Sequence, residues 1–316
     1  MKSTWAFLAF SLGILCLPLF VQNPYYLNIL AFVGLYALVT IGLSLFIGYA
    51  GQISLGHGAF YASGAYISAL LSLFYGLNPW LSMSVAVVFT VLWAFALGKS
   101  ILRLRGHYLV MATLGVNLVV YMLLVELEPL TGGVSGLPGI PPFCVGDFCF
   151  TSDRACFYLI WGICLVVLAG ALRVDSSPLG RQLRAIRGSE LAAAALGLDV
   201  TAYKVGTFTL SAGLTALAGA LYAHYLSFIS PKTFDVFYSI EVVTMVLLGG
   251  AGNIWGAILG AFFLTPLPQL LDIVKEYKDL LYGLIIMGIL VYEPEGLCGF
   301  LKRIPLFKEK KAFFGG

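Results

Sequence analysis

Charge is what this chain lacks. Only 10% of its 316 residues are Asp, Glu, Lys or Arg, while 60% are hydrophobic. A soluble domain carries about 25% charged residues. So large an apolar excess cannot be hidden in a water-soluble core of this size, so lipid must solvate much of the surface. Uninterrupted apolar runs of about 20 residues exclude the alternating pattern of a barrel, leaving helices as the way to satisfy the backbone inside a bilayer. The expected fold class is therefore all-α, a polytopic membrane protein with about ten transmembrane helices.

Other absences narrow the function. There is no HExxH and no serine-hydrolase elbow, and the glycine-rich run from Glu128 to Pro141 lacks the adjacent lysine and serine that complete a nucleotide loop. No catalytic residue is assigned, and an enzyme is not expected. Cys144, Cys149 and Cys156 share one polar loop without partner histidines, so a metal site is not expected either. One disulfide with a third cysteine left over, or three unpaired thiols, both remain open. The net charge of +3 is scattered over loops and the tail, which argues against nucleic acid as a partner.

What is present is a series of apolar runs at 5–21, 26–47, 54–76, 79–98, 107–126, 157–173, 205–227, 239–250, 253–272 and 280–292. The first resembles a signal peptide, but Leu17, Pro18, Leu19 and Phe20 make a poor cleavage site, so an uncleaved helix is expected. Lys99, Arg103 and Arg105 form one basic cluster, and Arg173, Arg181, Arg184, Arg187 and Lys204 a second. Lys302, Arg303, Lys308, Lys310 and Lys311 form a third. Ten crossings put all three on one side, the cytoplasmic one, with both termini. The expected organisation is a single transmembrane domain over 1–316, with an extracytoplasmic loop at 127–156, a cytoplasmic loop at 174–204 and a cytoplasmic tail at 293–316. The run at 239–250 is short for a crossing, so a re-entrant element over 239–272 is the alternative.

Two of these runs end in a glycine break of the same form. Gly48-Tyr49-Ala50-Gly51-Gln52-Ile53 and Gly249-Gly250-Ala251-Gly252-Asn253-Ile254 share G-x-A-G-[QN]-I, which points to an internal duplication with glycine-broken helices. Coincidence is the competing explanation in a chain with 36 glycines. Gly51, Gln52, Ser54, Gly56 and His57 in the first copy, with Gly249, Gly250, Gly252 and Asn253 in the second, are the candidates for the translocation pathway or the helix breaks. Gln52, Ser54 and His57 lie at a helix start, where they either cap amides and bond between helices or contact a solute.

The basic loop carries the strongest signal. Ser177-Pro178 opens a helix, Leu179, Leu183 and Ile186 are spaced for one apolar face, and Glu190 to Ala195 form a second short helix stopped by Gly197. Fixing topology would need only the positive charge. An alanine run stopped by glycine adds a helical pair with apolar knobs and arginines, suited to a groove on a partner.

Several segments resemble the membrane subunit of branched-chain amino-acid ABC importers, the LivM-like half. They are GYAGQISLGHGAFYASGAY at 48–66, LRLRGHYLVMATLG at 102–115, LTGGVSGLPGIP at 130–141, RQLRAIRGSELAAAALGLDVTAYKVGTFTLSAGLTALAGALYAH at 181–224, LLGGAGNIWGAILGAFF near the end, and YEPEGL at 292–297. The resemblance covers about residues 26–300. It implies that Arg184, Arg187, Glu190, Ala192 and Gly197 belong to a coupling loop, with one residue more in its motif than the family's common form. It also implies a homologous second permease, two cytoplasmic ATPase subunits that bind ATP and magnesium, and an extracytoplasmic solute-binding protein as partners. This chain itself would bind no cofactor. A plasma-membrane location, the inner membrane of a bacterium, is implied, with translocation of branched-chain or other hydrophobic amino acids by alternating access. Urea or short amides are the alternative cargo, and the insert CVGDFCFTSDRAC at 144–156 departs from the family's pattern. The rival from outside the class is a sodium-coupled secondary transporter, since paired broken helices suit it equally and the sixth, seventh and tenth spans have no acidic residue near the middle for a proton relay.

Overall fold

A computed structural model describes residues 2–21, 23–104, 106–271, 277–292 and 296–303. Arg105, residues 293–295 of the YEPEGL segment, and Lys308, Lys310 and Lys311 of the tail lie outside the described residues. Two helices, α1 (Lys2–Phe20) and α2 (Pro24–Ser44), open the chain, and α2 runs on into a π-helical turn, Leu45–Tyr49. Beyond the first glycine break come α3 (His57–Phe74), α4 (Pro79–Ile101), α5 (His107–Glu126) and the single turn α6 (Glu128–Thr131). The following loop holds β1 (Leu137–Pro138), β2 (Cys144–Val145) and β3 (Phe148–Cys149). Next are α7 (Asp153–Ser176), α8 (Pro178–Gly188), α9 (Glu190–Ala195), α10 (Val200–Leu226) and β4 (Phe228–Ile229). The described chain closes with α11 (Val236–Gly249), α12 (Ile254–Leu264), α13 (Leu267–Leu270), α14 (Lys278–Tyr292) and α15 (Gly296–Arg303).

This is the all-α, polytopic architecture that the apolar runs require. Among the described residues five helices are long and apolar enough to cross a membrane: Pro24–Tyr49, Pro79–Ile101, His107–Glu126, Asp153–Ser176 and Val200–Leu226. Shorter apolar helices at Trp5–Phe20, Val236–Gly249, Ile254–Leu270 and Leu280–Ile289, with α3, bring the apolar helices among the described residues to about ten. The ends obey local chemistry. Asn78 caps α4 by accepting from the Trp80 amide at 3.0 Å, with Pro79 in the first turn, and Asp199 caps α10 through the Ala202 amide. α9 stops where Gly197 takes φ +84°, a left-handed conformation that the glycine makes cheap.

The chain forms two compact units. The first comprises Met1–Ser44, Asp153–Arg181 and Thr244–Gly316. Here α2 packs on α7 and α12, and the buried Trp161 of α7 donates its indole N–H to the Leu30 carbonyl at 2.9 Å. Gly34 makes this possible, because a Cβ there would lie 2.9 Å from Ile160 and 3.1 Å from the indole nitrogen. Phe10 from α1 closes the cluster edge-on, 5.5 Å from Trp255 and 6.1 Å from Trp161.

The second glycine break lies in this unit. Gly250 and Gly252 take φ +111° and +98°, and the Asn253 side chain caps α12 through the Trp255 amide at 2.9 Å. Gly249 touches Gly256, and Gly260 touches the Met245 carbonyl, so the legs on either side of the break run antiparallel with backbone against backbone. A helix of 14 residues and one of 11 extend only about 21 and 16 Å, less than the ~30 Å of a hydrocarbon core. Gly296, at φ +74°, opens α15 directly against Gly250, and Asn253 Nδ2 lies 3.1 Å from Cys298 Sγ.

The second unit comprises Leu45–Ser152 and Gln182–Val243. Its centre is the pair α3 and α10, which run parallel. His57 meets Ser211 at one end at 2.8 Å, and Ser68 meets His224 at the other, also at 2.8 Å. Between them the helices touch at Gly64 and Gly219, where an added Cβ would overlap the backbone of Ala216 and of Tyr61. Small-residue contacts of this kind let van der Waals packing hold helices where the hydrophobic effect gives no help. Beyond His224 the 127–150 loop is fastened down. Its Pro141 carbonyl lies 2.6 Å from His224 Nδ1, Phe143 packs 4.6 Å from the same ring, and β1 pairs with β4. The open question about the cysteines resolves as a Cys144–Cys149 disulfide across the β2–β3 hairpin, with Cys156 buried outside it.

Candidate functional site

Two groups of residues that the sequence presents separately, the first glycine break and the basic loop, meet in the second unit. The π-helical turn is entirely buried, and its wider i→i+5 pattern leaves carbonyls at its end without a regular helical partner. One of them, on Gly48, accepts a hydrogen bond from the Arg187 guanidinium. Arg184, one turn earlier on α8, holds its guanidinium 5.4 Å from the centre of the Tyr49 ring. The break then doubles back, with Gly51 at φ +69°, and a Cβ there would lie 3.1 Å from Arg187 Cγ.

The next residue completes the junction. Gln52 Nε2 donates to Glu190 Oε1 at 3.2 Å, and Lys204 Nζ donates to that same oxygen at 2.5 Å. The Lys204 side chain is only 4% exposed and that of Glu190 30%, so the ammonium depends on this carboxylate for its compensation. Ser189 caps α9 by accepting from the Ala192 amide at 3.2 Å, and Tyr203 donates to Gln182 at 2.8 Å. Leu183 and Ile186 form the buried face of α8, as their spacing predicts, but Leu179 is 42% exposed and is not part of it. Sequence reasoning missed Leu191 and Leu196, apolar side chains that α9 leaves 79% and 80% exposed. The signal was their position at the two ends of the alanine run.

Ser54, Gly56 and His57 lie apart from this junction, at the start of α3. The amides there are met by one local hydroxyl and by hydroxyls from two other segments. Leu55 N–H donates to Thr113 at 3.1 Å, Gly56 N–H to Ser54 at 3.2 Å, and Gly58 N–H to Ser239 at 2.8 Å. Asn117 Nδ2 shares Ser239 at 3.4 Å, and His57 Nε2 meets Ser211. Ser54, His57, Asn117, Ser211 and Ser239 are all fully buried, so the bonds His57 and Ser54 make here are capping and interhelical ones. Replacing Ser211 by alanine strands a buried imidazole nitrogen and should cost about 1–3 kcal/mol. Thermal melting of the detergent-solubilised protein should drop for Ser211→Ala and partly recover in Ser211→Ala with His57→Phe. A double variant no better than the single one would remove the pairing from the account.

Gly249, Gly250, Gly252 and Asn253 belong to the other unit, where they pack against α12 and α15 as described. Among the described residues no group of three or more His, Cys, Asp or Glu side chains is placed to hold a metal ion.

Comparison with known proteins places these features in a context. Residues 25–290 match a family model described as the branched-chain amino acid transport system permease component. The chain is 35% identical over 286 residues to the high-affinity branched-chain amino acid transport system permease protein LivM of Escherichia coli, covering 83% of this chain and 67% of that one. It is 27% identical over 320 residues to the probable branched-chain amino acid transport permease protein LivM of Methanocaldococcus jannaschii, covering 85% and 92%. It is also 30% identical over 208 residues to the autoinducer 2 import system permease protein LsrC of Yersinia enterocolitica, covering 62% and 55%. No solved structure gives a significant match.

Proposed function

Because the chain belongs to the branched-chain amino acid transport system permease family, we propose that it works as one half of a paired translocation channel, driven at α8 and α9 by a separate ATPase. It is a multi-pass plasma-membrane permease subunit, and ATP hydrolysis lies outside it. Its partners in this reading are a homologous second permease, two cytoplasmic ATPase subunits that hold ATP and magnesium, and an extracytoplasmic solute-binding protein. Nucleotide-driven closure of the ATPases moves α8 and α9, and the spans alternate between outward and inward openings.

The observation that carries this reading is the short helix pair itself. Leu191 on α9 and Leu196 at its C-terminal cap are exposed, while Arg187 of α8 and Glu190 of α9 tie the pair inward to the helix break. Apolar knobs on a helix anchored from behind are suited to a groove on a partner. Branched-chain or other hydrophobic amino acids are the proposed cargo, supported by the similarity to LivM permeases of branched-chain amino acid transport systems. Leucine, isoleucine and valine, offered with urea as competitor, would separate that cargo from urea or short amides through stimulation of ATP hydrolysis.

Co-purification of the tagged chain from membranes tests the machine. The wild type should bring down an ATPase, and a stably inserted Glu190→Arg, Gly197→Trp double variant should lose it. A wild type that transports without any ATPase would make sodium-coupled transport the better account.

A further inference from the structure

Resting on the reading of α8 and α9 as the coupling element, we propose that Arg187 and Glu190 are positioning residues that clamp the π-helical turn and the Gly48–Gln52 break onto these two helices, so that all four segments move as one body during transport. Three contacts from three separate side chains converge on five consecutive residues. Arg187 binds the Gly48 carbonyl, Arg184 lies against the Tyr49 ring, and Glu190 accepts from Gln52.

The chemistry of these contacts favours transmission over simple adhesion. Arg187 grips backbone, not a side chain, so a shift of α8 is passed directly to the helical turn that joins α2 to the break. A π-helical turn can take up such a shift, because its irregular ladder is already one residue out of register with an α-helix. Glu190 adds a second branch by holding Lys204 with the oxygen that holds Gln52, which ties the break to the N-terminal part of α10. The chain enters its second compact unit at Leu45 and re-enters it at Gln182. The clamp therefore joins the two segments through which the second unit is reached from α2 and from α7.

The test uses the complete transporter, this chain with its partner permease, ATPases and binding protein, in proteoliposomes. Gln52→Leu, which leaves α8 and α9 themselves unchanged, should retain the ATPase and its basal hydrolysis while uptake per ATP falls by about tenfold, within the usual span of coupling factors, and Arg187→Ala should lower uptake per ATP at least as far. A rescue experiment guards against a variant that merely folds badly. A Cβ on Gly51 would lie 3.5 Å from Arg187 Cβ, within reach of a disulfide. Gly51→Cys with Arg187→Cys should therefore be uncoupled when reduced and regain most of its uptake per ATP when oxidised, with Gly51→Cys alone indifferent to oxidation. The clamp is overturned if the pair forms no bridge, if both redox states give the same uptake per ATP, or if Arg187→Ala transports with full efficiency. A wild type that binds no ATPase would instead sink the coupling reading, and the clamp with it.

Discussion

Gly64→Leu should abolish recovery of folded protein, whereas Gly206→Leu on α10 should leave it nearly unchanged. At Gly64 a side chain would have to pass through the Ala216 backbone, and backbone, unlike the far end of a flexible side chain, cannot rotate away. Adding methylenes to an ordinary packed core costs about 1–3 kcal/mol. Forcing apart α3 and α10 costs more, because it also separates His57 from Ser211 and Ser68 from His224. A membrane protein that is stable by roughly 5–15 kcal/mol cannot lose that central contact and remain assembled. At Gly206 nothing lies within 4 Å of the added atom, so the same glycine-to-leucine change in a helix of the same unit meets open space instead of backbone. The monodisperse fraction in size-exclusion chromatography measures the contrast. Equal yields of the two variants would mean that the close crossing is not required.

The second large effect is expected at the Glu190–Lys204 pair, and it should be asymmetric. Breaking a buried pair typically costs about 3–5 kcal/mol, because one charge is left uncompensated. Glu190→Ala strands the ammonium of Lys204, which is 4% exposed, and should fall within that range. Lys204→Ala strands a carboxylate that is 30% exposed and still bonded to Gln52, so water takes up part of the loss and the cost should be smaller. Removing both should be milder than Glu190→Ala alone. A double-mutant cycle on detergent-solubilised melting gives the pairwise energy. Strict additivity, or the reverse order of the single variants, would contradict the assigned burial.

The sequence made the spans legible because lipid imposes a composition that no local detail can disguise. The run expected at 107–126 is the helix His107–Glu126, and α8 and α9 begin and end at Pro178, Ser189 and Gly197, where proline, serine and glycine each leave a local signature. Contacts remote in sequence were not legible. Nothing near Gln52 announces that its partner is Glu190, and the glycine of the π-helical turn, Gly48, lies near its end, so nothing at Leu45 marks the change from ordinary helix. The exposure of Leu179 was invisible for a different reason. Periodicity defines a face, but whether the first turn of that face is covered depends on where a neighbouring element ends. Among the three loop cysteines, spacing left the pairing undetermined, and the hairpin that brings Cys144 to Cys149 is set by the turn at Gly146, at φ +60°. The two glycine breaks were legible as a pair, yet their surroundings differ, since the first is gripped by α8 and α9 and the second by α12 and α15.

The distance along the chain between Gln52 and Glu190, 138 residues, is also an interval of time. A ribosome adding ~5–20 residues per second delivers the clamp on the order of 10 s after the break it closes. Ser211 reaches His57 later still, 154 residues downstream. Through that interval α3 is already synthesised while α10, which fills its groove and satisfies its imidazole, does not yet exist. Hydrocarbon offers nothing to the polar start of α3. Until Ser211 arrives, the His57 end of the nascent α3 is better served by water at the rim of the bilayer than by hydrocarbon.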